Sequence, residues 1–489
     1  MPPLIASAAE PAPIDPRTLT FSHVELVPPD AARVVLKNGM VIYLLEDHEL
    51  PLVTITALIR TGSWLDPSDK VGLAALTGAV MRTGGGGGVS PAETDDQLAQ
   101  TGGRMNIAIG RQSGSASLDV LKKDFPNALR LFAGLLRSPA FDPASVELAK
   151  LQAIERIRRR EDEPDAIASR ELIKLLYGAG HPTAREGSMD SVGRINREDL
   201  IAFHRNTIHP NGIILGVTGD FNKEEMLALL RGAFEDWRMG QVAELEIADV
   251  SEREGDRAVI HLINKDTTQT HLRAGSLSVK ATDADYIPLI VANDIFAGDA
   301  FVGRLYNEVR TKRGLAYSVG SELSAGMSNQ GIWLVWAETK RPSTMEVLAQ
   351  LEANLIRMHT ELVSDAELTQ AKDAYANSAV FDFSTTSKIV SRLMKLEYDG
   401  LPKDFYQQLR QKLLKVSKED IMAVGRKYLR LDRLQIVAVG SGEALSKDLS
   451  AFGKVKEISL HAQDETPAMV TSQLCFDSSQ RSASCAPLR

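Results

Sequence analysis

One stretch of this chain occurs twice. Glu198-Asp-Leu-Ile-Ala-Phe-His-Arg205 returns as Glu419-Asp-Ile-Met-Ala-Val-Gly-Arg426, with 198 in the numbering matched by 419. The same offset pairs Gly219 with Gly440, each just after an apolar strand pattern. Five of the 22 positions from Glu198 to Gly219 are identical across it, and helix and strand patterns fall in the same order. Such a period is far too long for a solenoid unit, so it marks a duplicated domain. The chain is 489 residues long, and at roughly 150 residues per domain it has room for about three. Two α+β domains related by duplication is the reading that follows.

Boundaries come from composition and period. Seven prolines precede residue 30, so residues 1–30 read as an extended leader. A first domain spans 31–238 and opens on Arg33 to Leu45, where Asn38-Gly39 sits between two β-branched runs. That dipeptide predicts a hairpin whose two central positions both take positive φ. A strand follows at 52–61 and a helix at 70–81, then Gly84 to Gly88, a run without the Lys-Ser/Thr of a phosphate loop, read as a flexible connector. Helical periods fill about 124–136, 144–162 and 165–177, with a strand at 212–219 and a helix at 222–237. The acidic stretch 239–257 is a linker, 258–460 a second domain, and 461–489 a disordered tail rich in Ser, Thr and Gln.

Composition excludes several classes. Asp and Glu (64) outnumber Lys and Arg (56), giving a net charge of −8, so the chain lacks the basic footprint of a nucleic-acid binder. No run of 18 apolar residues exists, so no membrane span is expected. Cys475 and Cys485 both fall in the tail, where they hold no framework and ligate no metal in the body. The Ala-rich segment before Pro13 has no basic or apolar signal region. It reads as the end of a trimmed export signal, which points to the periplasm, with a cytoplasmic location as the alternative.

By motif the chain looks catalytically empty. Its nine histidines include no i, i+4 pair, the spacing that turns two imidazoles toward one zinc ion, so each reads as surface or capping. No Gly-x-Ser-x-Gly elbow and no Cys/His nucleophile pair is present. One segment stands apart. In Phe301 to Val319 a helix with apolar Phe301, Leu305 and Val309 ends at Gly314. Arg310 in its last turn and Tyr317 at the start of the next strand could aim a guanidinium fork and a phenol at one peptide carbonyl or carboxylate. On spacing alone the plainer reading is the favoured one, a cation stabilised at the helix C-terminus and a half-buried strand tyrosine.

The stretch from about 30 to 455 resembles the pitrilysin/insulinase family of zinc peptidases, which includes the mitochondrial processing peptidases. The likeness lies in the duplication and in ordered patterns: Leu36-Lys-Asn-Gly-Met40, Arg60-Thr-Gly-Ser-Trp64, Arg159-Arg-Glu-Asp-Glu-Pro-Asp165, Leu176-Tyr-Gly178, His181-Pro182, and Asn307 to Val319. It implies two homologous domains, each a mixed, mostly antiparallel sheet packed with helices. Active members carry His-x-x-Glu-His. Here Gly72-Leu-Ala-Ala-Leu-Thr-Gly-Ala79 puts Ala75, Gly78 and Ala79 where the ligands and the general base belong. Neither alanine nor glycine binds zinc or takes a proton from water. Glu155 aligns with the third ligand, so Ala75→His, Gly78→Glu and Ala79→His together are expected to restore weak zinc binding, which would test that register. Arg310 and Tyr317 match the family's substrate-binding, oxyanion-stabilising pair. The resemblance thus implies a subunit that binds no metal and is inactive alone. A homologous His-x-x-Glu-His partner would supply zinc and base for peptide hydrolysis. A non-catalytic scaffold or a peptide-binding protein is the alternative.

Overall fold

The computed structural model describes residues 30–460 apart from 245–246, 251–257, 299–301, 328 and 382. Most of the leader (1–29), Phe301, and the tail with both cysteines lie outside the described residues. Among the described residues no helix is long and apolar enough to cross a membrane.

Among the described residues, twelve strands form two six-stranded sheets. The first contains β1 (Ala32–Val35), β2 (Val41–Glu46), β3 (Leu52–Ile59), β4 (Arg104–Ile109), β5 (Gly114–Leu121) and β6 (Ile213–Gly219), in the order β1-β2-β6-β3-β5-β4. The second contains β7 (Val259–Asn264), β8 (Gln269–Leu277), β9 (Ala316–Leu323), β10 (Ile332–Lys340), β11 (Gln435–Gly440) and β12 (Lys454–Glu457), in the order β12-β7-β11-β8-β10-β9. Five strands correspond one to one: β2-β6-β3-β5-β4 and β7-β11-β8-β10-β9 share order and sense, with the first pair parallel and the rest antiparallel. The repeat is carried into the helices. Arg197–Thr207 and Lys418–Tyr428 keep the sequence offset at both ends, and their N-caps, Asn196 and Ser417, each close a capping box with an aspartate.

The sheets bury both faces where the chain is most apolar. β11, Gln-Ile-Val-Ala-Val-Gly, is buried throughout, whereas edge strand β4 alternates exposed and buried residues. The reason is an exchange of helices. Helix Pro164–Tyr177 of the first half lies on the second sheet, packing Ile167, Leu172 and Leu176 against Ile263, Leu277, Val437 and Val439. Its counterpart Thr386–Asp399 lies on the first sheet, packing Val390 and Met394 against Tyr43 and Ile214. Arg33 donates two hydrogen bonds to Glu397 on that exchanged helix (2.9 and 2.8 Å), and the Tyr43 hydroxyl donates a third (2.9 Å). The Arg33 bonds hold the Glu397 carboxyl below its ordinary range, while burial pushes the Tyr43 phenol up to about 12.

Two expectations need correction. The hairpin forms with Val35 opposite Val41, but only Gly39 takes positive φ (81°). Asn38 serves another purpose: its buried side-chain amide donates to the carbonyls of Phe234 (2.7 Å) and Trp237 (3.2 Å), pinning the turn to a helix end. The glycine run is packed rather than a flexible connector. Gly87 donates to Ser138 O (3.0 Å), and a Cβ on Gly87 would meet the Gly134 Cα at 2.7 Å. Glycine is needed there for close approach of two backbones.

Candidate functional site

Helix Leu73–Thr83 occupies the place of the degenerate motif. Gly72 precedes it with φ 111°, and Asp66 caps it by accepting from the backbone N–H of Gly72 and of Ala74, both at 2.8 Å. Burial outweighs those bonds and pushes the Asp66 carboxyl up to about 6. Ala75 is exposed, Ala79 is half-buried, and Gly78 is buried against β4. A Cβ at Gly78 would lie 2.6 Å from Ile109 N and 3.0 Å from the Ala108 carbonyl carbon. The helix has closed onto the strand and leaves no room for a glutamate.

Ala75 faces a cleft of about 300 Å³ lined by residues that include Ala153, Arg156, Arg160 and Glu186. Glu155 does not reach it. The structure places Glu155 on the exposed side of helix Pro143–Arg159, ion-paired to Arg159 at 2.7 Å and to Arg158 at 3.8 Å. Ala153, Arg156 and Ile157 of the same helix line the cleft with Ala75, and Glu155 does not. Two alanines, a packed glycine and an arginine do not fit a zinc ion.

Arg310 and Tyr317, in contrast, meet. The segment Arg304–Tyr306 continues into a π-helical turn, Asn307–Lys312, and Gly314 (φ 62°) reverses the chain into β9. β9 pairs Ser318 with Glu338 and Ala316 with Thr339, so Tyr317 is the extra residue of a β-bulge. Bulges re-aim side chains beside functional sites. Here Tyr317 is 78% exposed. The Arg310 guanidinium lies 4.2 Å from the centre of the Tyr317 ring and 5.2 Å from that of Tyr306. Sequence reasoning does not single out Tyr306, although its i, i+4 spacing from Arg310 is the available signal. Buried Arg304 anchors the segment by donating to both carboxylate oxygens of Glu367 (2.6 and 3.0 Å). The Arg304 bonds hold Glu367 down at about 2.

Among the described residues, cavities lie between the halves. One, about 770 Å³, is lined by residues that include Arg60, Trp64, Lys395 and Tyr398, and another, about 400 Å³, by residues that include Tyr177 and Gln330. Neither contains Ala75, Arg310 or Tyr317, and the cleft beside Ala75 contains no residue of the second half. The two surfaces do not share any of these cavities.

Comparison with known proteins gives this arrangement a lineage. Residues 41–184 match the insulinase description of peptidase family M16, and residues 194–375 match the M16 inactive domain. The chain belongs to the insulinase family. Relatives of this insulinase-family chain include the "non-peptidase homolog YmxG" of Helicobacter pylori, 24% identical over 402 residues that cover 81% of this chain and 90% of that one. An "uncharacterized zinc protease" of Streptomyces coelicolor is 24% identical over 348 residues, 70% of this chain and 74% of that one. Among solved structures, the M16 inactive domain from Pseudomonas fluorescens superposes with a TM-score of 0.75 at 24% identity, covering 85% of this chain and 99% of that one. The periplasmic protease PqqL of Escherichia coli superposes with a TM-score of 0.69 at 14% identity, covering 89% of this chain but 49% of that one.

Proposed function

We propose that this chain is the subunit without catalytic metal in a two-chain zinc peptidase, in which a homologous His-x-x-Glu-His chain brings the catalytic zinc and the glutamate base. The observation that carries this reading is the contrast between the two halves: the metal helix is closed, while Arg310 and Tyr317 are stacked together with the phenol exposed. A packing role gives no reason for a bulge that turns the tyrosine outward. Tyr317 donates its phenolic proton to the oxyanion that develops on the scissile carbonyl, and Arg310 holds the substrate main chain or a carboxylate. The half-length match to PqqL supports a two-chain assembly, since this chain corresponds in fold to half of a longer protease. The compartment proposed is the periplasm.

The test is co-expression with a His-x-x-Glu-His homologue from the native source. The chain alone is expected to hydrolyse no peptide. In an intact complex Tyr317→Phe is expected to lower kcat about 10²–10³-fold, the effect of one lost oxyanion donor. Arg310→Ala is expected to raise KM as well as lower kcat. The printed name of the Helicobacter pylori relative, a non-peptidase homolog, favours a second reading, a non-catalytic scaffold. Full activity of an intact Tyr317→Phe complex would establish that second reading.

A further inference from the structure

Away from the degenerate helix, three ligand-type side chains converge where the exchanged helix of the first half meets the second sheet. Asp165 stands in the first turn of helix Pro164–Tyr177, His271 on β8, and Glu338 directly opposite it on β10. One ligand atom from each lies within 4.8 Å of the others. His271 Nδ1 is buried, has no hydrogen-bond partner, and lies 4.0 Å from Asp165 Oδ1. A buried ring nitrogen left without a partner is costly, so its persistence needs a cause. Arg273, further along β8, donates to Asp165, to Ser169 Oγ (3.2 Å) and to Leu272 O (3.0 Å). These bonds orient the aspartate and leave the imidazole nitrogen open.

We propose that Asp165, His271 and Glu338 bind one divalent transition-metal ion of the Zn²⁺ or Co²⁺ class, tying the first half's exchanged helix to the second sheet. One imidazole nitrogen and two carboxylate oxygens are a borderline donor set suited to such ions. Ligands at about 2.0–2.2 Å from zinc stand roughly 3.4 Å apart in a tetrahedron, so closure needs about an ångström of movement. Side-chain torsions of Asp165 and Glu338 supply it, Asp165 closing the 4.0 Å gap to His271 Nδ1. Arg273 keeps a positive charge beside the ion, which sets the affinity below that of an unopposed three-ligand site. The ion stands on the ladder rung that continues to Ser318, the residue after Tyr317, so it would stiffen the strand carrying that tyrosine. This site is independent of the peptidase reading, because none of its ligands belongs to the Arg310/Tyr317 pair or to the degenerate motif.

The experiment is equilibrium dialysis of the full chain against Zn²⁺, and titration with Co²⁺ followed by its visible spectrum. Cys475→Ser and Cys485→Ser form the background, to remove the thiols as competing ligands. One equivalent bound per chain is expected. His271→Ala and Glu338→Gln should each weaken binding at least about tenfold, with circular dichroism unchanged. Arg310→Ala should leave it intact, and Zn²⁺ should raise Tm only in the chain that keeps both ligands. Glu338→Gln preserves shape, so it reports even if His271→Ala fails to fold. No stoichiometric binding, or binding that survives Glu338→Gln unchanged, overturns the site.

Discussion

Glu367 and Gly78 show how single residues set what this protein can and cannot do. Glu367 holds Arg304, which begins the segment that ends in Arg310, and its carboxyl is depressed from 4.5 to about 2 chiefly by the Arg304 bonds. A depressed carboxyl contributes stability that is present above the unfolded pKa and lost as pH falls through the folded one. The full shift corresponds to about 3 kcal/mol, which partial exposure reduces to roughly 1–2 kcal/mol. Glu367→Gln should therefore lower stability by about that amount at pH 7. Urea unfolding should show the difference shrinking as pH falls from about 4.5 toward about 2. Gly78 carries the opposite lesson. Restoring the metal motif needs a glutamate where a Cβ already lies 2.6 Å from the β4 backbone. Gly78→Glu is expected to cost about 3 kcal/mol or more by overpacking, with Ala75→His tolerated at its exposed position. The triple substitution Ala75→His, Gly78→Glu, Ala79→His should accordingly gain no zinc at that helix, against the expectation from the motif alone, and metal analysis of the folded fraction in a His271→Ala, Glu338→Gln background checks it. The lost site is a packed surface as well as a missing set of ligands.

At the scale of elements, the exchanged helices make the most specific demand on the sequence. Gly216 on β6 faces helix Thr386–Asp399 so closely that a Cβ would sit 2.4 Å from both Met394 Sδ and Val390 Cγ1. Gly216→Ala should cost about 1–3 kcal/mol. Both neighbours are side-chain atoms, so Met394→Ala should recover part of that loss, with a coupling of about 0.5–3 kcal/mol in a double-mutant cycle of unfolding free energies. Much of the element layout is legible in the sequence. The three long helices of the first half, the opening hairpin and strand β6 are written in local period, which depends on near neighbours in the chain, and the domain repeat shows by direct comparison. Strands β4 and β5 are not, because their Ser, Asn and Gly content hides an alternation that only the sheet makes plain. The glycine run misleads because flexibility and close packing use the same residue. Arg310 and Tyr317 are legible because the π-helical turn and the bulge that join them are local. The Asp165, His271 and Glu338 cluster is not, since its members are distant in the chain and meet only through cross-strand register and the helix exchange.

For the molecule as a whole, the halves are interlocked rather than adjoined. Each sheet is finished by a helix that the other half supplies, with Glu397 and Asp165 fastening the two exchanged helices to arginines of the opposite half. The pattern has the self-complementary logic of a two-fold interface, in which a patch on one copy meets the same patch on the other. A consequence falls on synthesis. The first sheet is complete in sequence at Gly219, yet the helix that covers it begins only at Thr386. At about 5–20 residues per second, the emerging chain spends roughly ten to thirty seconds with the outer faces of Tyr43 and Ile214 bare beside the translating ribosome. During that interval, a helix from a neighbouring nascent chain would fit the same groove, so the timing of translation, more than the strength of the finished contact, decides whether one chain closes upon itself.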